Sequence, residues 1–264
     1  MESGTAARQS DLWGARPREW AEVQEMQVRP LYDAVFDAVE VDQYTRMLDV
    51  GCGAGLAAQL AAERGARVAG FDATEPLLEV ARERVPDADF RSGDMEELPF
   101  DDHVFSLVTG FNSFQFAGDP ARALREAGRV AEPESPIAVG VWGREDQCEV
   151  AVVLKASAEL GPPPPPGRTP GPFALSEPGA LEGFVEQAGL TASAPVDVET
   201  VWRYADLDTA LRGLTSAGPA TAAIRESGEE RLREALAASL EPFGDGSGGY
   251  RLTNVFRYLI ARTG

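Results

Sequence analysis

The sequence predicts an α/β protein, a doubly wound and mostly parallel seven-stranded sheet. Short apolar runs alternate with helical patterns from residue 46 to residue 143, which is how βαβ units read. A cluster of glycines, Gly51, Gly53 and Gly55, joins the first apolar run directly to a helical one. Two further strand-like runs, VDVETVWRY at 196–204 and LTNVFRYLIA at 252–261, bring the strands to seven.

The first strand is RMLDV, ending at the glycine cluster. Leu56, Ala57, Leu60 and Ala61 then recur at helical spacing, with Gly65 as a stop. The second strand is RVAGFD, after which Thr74 is expected to cap a helix with Pro76 in its first turn. Leu77, Leu78, Ala81 and Val85 form the buried stripe of that helix, and Pro86 ends it. A short strand, ADFRS, follows. VFSLVTGF is a continuous apolar run, as expected for a strand covered on both faces. Asp119-Pro120 starts a helix carrying Leu124, Ala127 and Val130, and IAVGVWG is the fifth strand.

Outside this core the pattern is less regular. Residues 18–40 read as two short amphipathic helices broken at Pro30, and helices are expected near 147–160 and 177–189. The segment GPPPPPGRTPGP between the last two reads as a semi-rigid polyproline spacer. Leu232, Ala235, Leu236 and Leu240 mark the clearest of the helices that lie between the last two strands.

The chain carries 24 basic and 43 acidic residues, a formal charge of −19. Such a surface repels phosphate backbones and anionic membranes, which argues against nucleic-acid or lipid-surface partners. No apolar run approaches the roughly 20 residues of a membrane helix. The N-terminus MESGTAARQSDLWG has no basic patch followed by an apolar core, so a cytoplasmic location is expected. Cys52 and Cys148 are far apart without metal-like spacing, and both are expected as free thiols with no bound metal.

Glycines between a strand and a helix let a ligand approach the backbone, because no Cβ stands in the way. An anion is the first expectation at such a helix start. The dinucleotide pattern G-x-G-x-x-G is broken, however: the third glycine comes one residue early and Leu56 stands where glycine or alanine belongs. Asp49, two residues before the first glycine, would repel a pyrophosphate and attract an ammonium. Asp72 ends the second strand, where a carboxylate commonly accepts from ribose hydroxyls. The set suits a nucleoside with a cationic tail.

LDVGCGAG, followed by GFD, SGDMEELPF and the stretch from VTGFNSFQF to REAGRV, resembles the class I S-adenosylmethionine-dependent methyltransferases, in the small-molecule branch that includes quinone-biosynthesis and natural-product enzymes. The resemblance implies a Rossmann-like core at 46–143 and an N-terminal helical lid at 1–45. It implies that 144–264 completes the sheet, with substrate-capping helical insertions after the fifth and sixth strands. It further implies S-adenosyl-L-methionine as cofactor and a small methyl acceptor, with a monomer or homodimer as the assembly. Gly51, Gly53 and Gly55 would pass under the methionine and ribose, and Asp49 would orient the amino end through the loop. Asp72 with the neighbouring Ala73 would bind the ribose, Asp94 and the Met95 backbone would contact adenine, and the Phe111 carbonyl would meet the methionine amine. Where many relatives carry a histidine after the fourth strand, this chain has Gln115, and the glycine turn before the fifth strand reads AEPESP.

Methyl transfer from a sulfonium needs alignment and exclusion of water, and a base only where the nucleophile must lose a proton. His103, the one histidine, lies in the turn before the fourth strand, at the wrong end of the sheet for a ligand. It is expected as a surface turn residue, which leaves Tyr, Asp or Glu for any base. Asn112, Gln115 and Trp142, with Phe111 and Ser113, are expected nearest the transferred methyl. Trp13, Trp20 and Tyr32 on one flank, and Trp202, Tyr204 and Tyr250 on the other, suggest an apolar or aromatic acceptor pocket. The rival readings are a non-catalytic S-adenosylmethionine-binding protein and an NAD(P)-dependent oxidoreductase. The broken glycine pattern and the single lysine, Lys155, with no nearby tyrosine disfavour the latter.

Overall fold

The computed structural model describes residues 5–163 and 171–263. Most of the proline-rich spacer expected at 161–172 lies outside the described residues. The N-terminal segment is helical almost throughout: α1 Ala6–Trp13, α2 Pro17–Glu19, a π-helical turn Trp20–Gln24, a 3₁₀ turn Glu25–Val28, and α3 Arg29–Ala38. Pro30 does not break a helix; it occupies the first turn of α3, where its missing N–H has no helical partner to lose. The helix at 6–13 was not expected from the sequence. It buries none of its residues fully.

The core then runs β1 Arg46–Val50, α4 Leu56–Glu63, β2 Arg67–Asp72, α5 Glu75–Arg84, β3 Asp89–Ser92, β4 Leu107–Phe111, α6 Pro120–Val130 and β5 Ile137–Trp142. Asp119 caps α6 as expected, accepting from the Arg122 N–H at 3.0 Å. Thr74 makes no side-chain cap on α5. The Thr74 N–H is held by the Asp72 carboxylate instead, at 2.8 Å. The fourth strand starts later than its apolar run suggests. His103 takes a positive φ of 58°, and the N–H groups of Val104 and Phe105 both turn to the Val130 carbonyl. His103 is an exposed turn residue, as expected.

The C-terminal part contributes α7 Ala151–Leu160, α8 Ala180–Glu186, β6 Leu190–Ala192, β7 Val196–Tyr204, α9 Leu207–Thr215, α10 Gly218–Ser227, α11 Glu229–Leu240 and β8 Tyr250–Thr263. All seven expected strands form, and β6 adds an eighth. Strand order is β3-β2-β1-β4-β5-β8-β6, with β7 also paired to β8. Strands β1 to β5 are mutually parallel and β8 is antiparallel to β5. β6 and β7 share one edge of β8 and behave as a single strand interrupted at Ser193, whose N–H donates to the Ile260 carbonyl at 2.8 Å and whose hydroxyl accepts from the Ile260 N–H at 3.0 Å. The eighth strand was not legible because three residues are too few to show an alternation.

Residues 250–255 of β8 continue past the end of β5, paired only with β7. This overhanging ribbon receives the N-terminal segment. Tyr204 donates its hydroxyl to Gln24 Oε1 at 2.9 Å, and the Gln27 side chain bonds both the N–H and the carbonyl of Arg203. Two apolar layers cover the sheet. One contains Leu31, Phe36, Phe111, Leu236 and Phe256; the other contains Phe71, Phe114, Leu124, Ile137 and Leu259. Phe256 is fully buried and stacks on Trp142, ring centroids 4.3 Å apart. Phe256→Ala is expected to destabilise the fold by about 3–5 kcal/mol, since the cavity opens where both β5 and β7 depend on β8. Urea denaturation followed by circular dichroism measures it.

Candidate functional site

The strand order reverses between β1 and β4, and in open α/β sheets the crevice at the carboxyl ends beside that reversal takes the ligand. There the chain turns from β1 into α4 through Gly51, Gly53 and Gly55, with φ of 77°, 53° and 81°. These are left-handed values that favour glycine. At Gly51 a Cβ would fall 2.3 Å from Ser113 Cβ, and at Gly55 2.8 Å from Ala81 Cβ, so side chains are excluded on steric grounds too.

The N–H groups of this loop are already used. Gly51 and Cys52 donate to the Phe71 carbonyl, Gly55 donates to the Cys52 carbonyl, and Gly53 donates to Asp72 Oδ2 at 2.9 Å. Ala54 and Leu56, at the head of α4, face the carboxylate of Glu25, with Leu56 N 3.5 Å from Oε1. A loop with its donors spent in this way has nothing to offer a phosphate. Three carboxylates surround it: Asp49 below, Asp72 on the β2 side and Glu25 from the N-terminal segment.

Asp49 is 2% exposed and accepts from Thr109 Oγ1 at 2.7 Å, across the β1–β4 pair. Burial pushes its carboxyl up to about 7, the Thr109 bond opposes this, and the charges of Glu25 and Asp72 add to it. Asp72 is raised by the same desolvation and held down by the N–H groups of Gly53 and Thr74. Glu25, 3% exposed, is raised by burial and lowered by Arg84, with which it is ion-paired. Arg84 also donates to the Ala54 carbonyl at 2.9 Å and the Ala21 carbonyl at 2.7 Å, so one guanidinium ties α5, the loop and the N-terminal segment together. Tyr32, packed on Phe111 at 4.6 Å, has its phenol pushed well up by burial and then by Glu25 and Asp49.

Beyond the loop, a pocket is lined by Phe71, Asp72, Ala73, Gly93, Asp94 and Met95 from the sheet side. Thr5, Ala6 and Gln9 of the N-terminal segment line its other wall, together with Phe116 and Ala117. The structure therefore brings Asp72, Ala73, Asp94 and Met95 into one cavity, next to Gly53, and places Asp49 beneath the same loop. At the end of β4, Asn112 adopts a φ of 50° and its side-chain oxygen meets Gln115 Nε2 at 3.5 Å. Ser113 Oγ and Gln115 Oε1 are buried without a partner among the described residues. Trp142, at the end of the neighbouring β5, is packed with Phe173, Trp202 and Phe256 in an aromatic cluster. Cys52 and Cys148 are both free and buried.

Sequence reasoning missed Glu25, Arg84, Thr109 and the wall formed by Thr5, Ala6 and Gln9. Thr109 had a signal, since a polar residue inside an apolar central strand needs a partner in the next strand. Glu25 and Arg84 are 59 positions apart in amphipathic segments rich in charge, and nothing local distinguishes them from solvated neighbours.

Residues 48–139 match the family of methyltransferase domains. Over 105 residues the chain is 36% identical to a demethylmenaquinone methyltransferase of Renibacterium salmoninarum, covering 40% of this chain and 44% of that protein. It is 34% identical over 116 residues to a ubiquinone biosynthesis O-methyltransferase of Alkalilimnicola ehrlichii, covering 42% of this chain and 47% of that one. The chain thus aligns with less than half the length of these curated relatives. Among solved structures, the [4+2]-cyclase SpnF superposes with a TM-score of 0.57 at 20% identity, over 88% of this chain and 80% of that one. No helix among the described residues is long and apolar enough to cross a membrane.

Because burial holds the Asp49 carboxyl at about 7 in the fold, against an ordinary carboxylate value of 3.8 in the unfolded chain, its contribution to stability is full below about pH 4 and lost as pH rises through about 7. Asp49→Asn is therefore expected to melt above the wild type at pH 8, with the gap shrinking steadily toward pH 4, as scanning calorimetry across that range will record. The glycine loop with its paired carboxylates and the reversal of strand order beneath it lie within residues 48–139, the segment that is similar to the methyltransferase domain family.

Proposed function

We propose that the protein transfers a methyl group from S-adenosylmethionine to a small, apolar or aromatic metabolite. The observation that carries this reading is the state of the glycine loop. Its N–H groups are consumed within the protein, and three carboxylates flank it, so a dinucleotide pyrophosphate finds repulsion where it needs donors. A nucleoside ending in a sulfonium and an ammonium finds attraction instead. In this reading Gly51, Gly53 and Gly55 underlie the methionyl and ribose portions, Asp49 orients the amino end, and Asp72 and Ala73 take the ribose. Asp94 and Met95 take the adenine in the adjoining pocket, with Ala6 and Gln9 closing over it. The Phe111 carbonyl meets the ammonium.

The cofactor supplies an electrophilic methyl on a positively charged sulfur. This chain's own residues are left with alignment and exclusion of water, since charge disappears as the methyl moves. Ser113 Oγ and Gln115 Oε1, buried without partners at the end of β4, are the polar atoms available to orient an acceptor. Asn112, braced by Gln115, stands beside them, and the aromatic cluster of Trp142, Trp202 and Phe173 offers an apolar wall further along β5. The quinone-biosynthesis relatives support a ring-bearing acceptor. With His103 at the opposite end of the sheet and the Tyr32 phenol held protonated by burial, proton removal from an acceptor falls to a carboxylate or to the acceptor's own acidity.

Asp72→Asn, which keeps the shape and removes the charge, is expected to weaken S-adenosylmethionine binding roughly tenfold or more, the scale of a lost charge-assisted hydrogen bond. Isothermal titration measures it, with NAD as the comparison ligand expected not to bind. Transfer of labelled methyl into a panel of quinols, phenols and carbon acids, resolved by mass spectrometry, tests turnover; binding without any labelled product would leave a cofactor-binding protein rather than a transferase.

A further inference from the structure

We propose that Glu25 is a positioning residue of the cofactor site, an internal anion that fills the head of α4 and so selects a ligand with a cationic rather than a phosphate tail. The inference rests on the reading above and adds to it the means by which the N-terminal segment takes part. A helix start after a glycine loop attracts an anion through its free N–H groups. Here that anion is supplied by the protein. Glu25 Oε1 faces Leu56 N at 3.5 Å and lies 3.7 Å from where a Cβ on Gly53 would stand, a point that Trp20 Nε1 approaches equally closely.

The carboxylate is held there from both sides. Its other oxygen pairs with Arg84, whose guanidinium also grips the carbonyls of Ala54 and Ala21. The preceding residue, Gln24, is anchored by the Tyr204 hydroxyl at 2.9 Å, at the point where the π-helical turn gives way to a 3₁₀ turn. That change of pitch aims Gln24 at the overhanging ribbon and Glu25 at the loop; both are buried. A methionyl carboxylate is thereby turned away from the head of α4, and the ammonium and sulfonium are drawn toward it.

The test compares two ligands of the full chain by isothermal titration: S-adenosylmethionine and 5′-methylthioadenosine, which has the same nucleoside but no charged tail. Glu25→Gln is expected to weaken S-adenosylmethionine about tenfold and to change methylthioadenosine by less than twofold, with Glu25→Asp recovering part of the loss. Equal weakening of both ligands would make Glu25 a structural residue only and overturn the proposal, as would unchanged binding of both. Should Glu25→Gln fail to fold, Arg84→Lys, which keeps the charge but loses the grip on both carbonyls, is expected to give the same selective loss, and an equal effect on both ligands there overturns it too. Failure of the wild type to bind S-adenosylmethionine at all would instead refute the function proposed above.

Discussion

The Asp72 carboxylate bonds the N–H of Gly53 with one oxygen and that of Thr74 with the other, and so fixes the glycine loop to the end of β2. Everything in the site follows from that pair of bonds. They hold Gly53 in a left-handed conformation, start α5 without a side-chain cap from Thr74, and place a negative charge where ribose hydroxyls are expected. The same N–H that a phosphate-binding loop would present to its ligand is spent on the protein. One hydrogen bond therefore shapes the backbone and sets the sign of charge the site accepts.

Around it the nearest charges are carboxylates: Asp49 beneath the loop, Asp72 beside it and Glu25 at the head of α4. The charges of Glu25 and Asp72 raise the carboxyl of Asp49, and a buried cluster of like charge is costly unless something positive joins it. Arg84 answers part of that cost by pairing with Glu25. The carboxyl of Asp49, at about 7, stands at the point where the arrival of a positive ligand would favour its ionised form. The overall charge of −19 contributes little here, because it is spread over a surface in contact with water and salt.

The sheet was legible because its strands obey simple rules. RMLDV, RVAGFD and VDVETVWRY form strands with the bounds their apolar patterns suggest, and Asp119-Pro120 starts a helix as its chemistry dictates. The glycines and the carboxylates at strand ends were legible for the same reason, since each needs a particular backbone conformation or a place at the end of a strand. What escaped was long-range. Glu25 and Arg84 look like surface charges until α5 and the N-terminal segment are packed together, and α1 has too few buried residues to announce itself. Thr74 makes no side-chain cap because its hydroxyl is turned to the Asp72 carboxylate, two residues earlier. A local rule lost to a stronger neighbour.

The fold by itself does not name a reaction, as its likeness to a [4+2]-cyclase illustrates. What separates the possibilities is the geometry of the ligand on the loop. A crystal structure with S-adenosylhomocysteine tests this most directly. The expected result is a nucleoside with its ribose hydroxyls on Asp72, its adenine beside Asp94 and Met95, and its ammonium on the glycine loop near Asp49, with the loop N–H bonds to Phe71 and Asp72 unchanged. A ligand whose carboxylate sits on the N–H groups of Ala54 and Leu56, with Glu25 displaced, or a pocket that stays empty at saturating ligand, would contradict it.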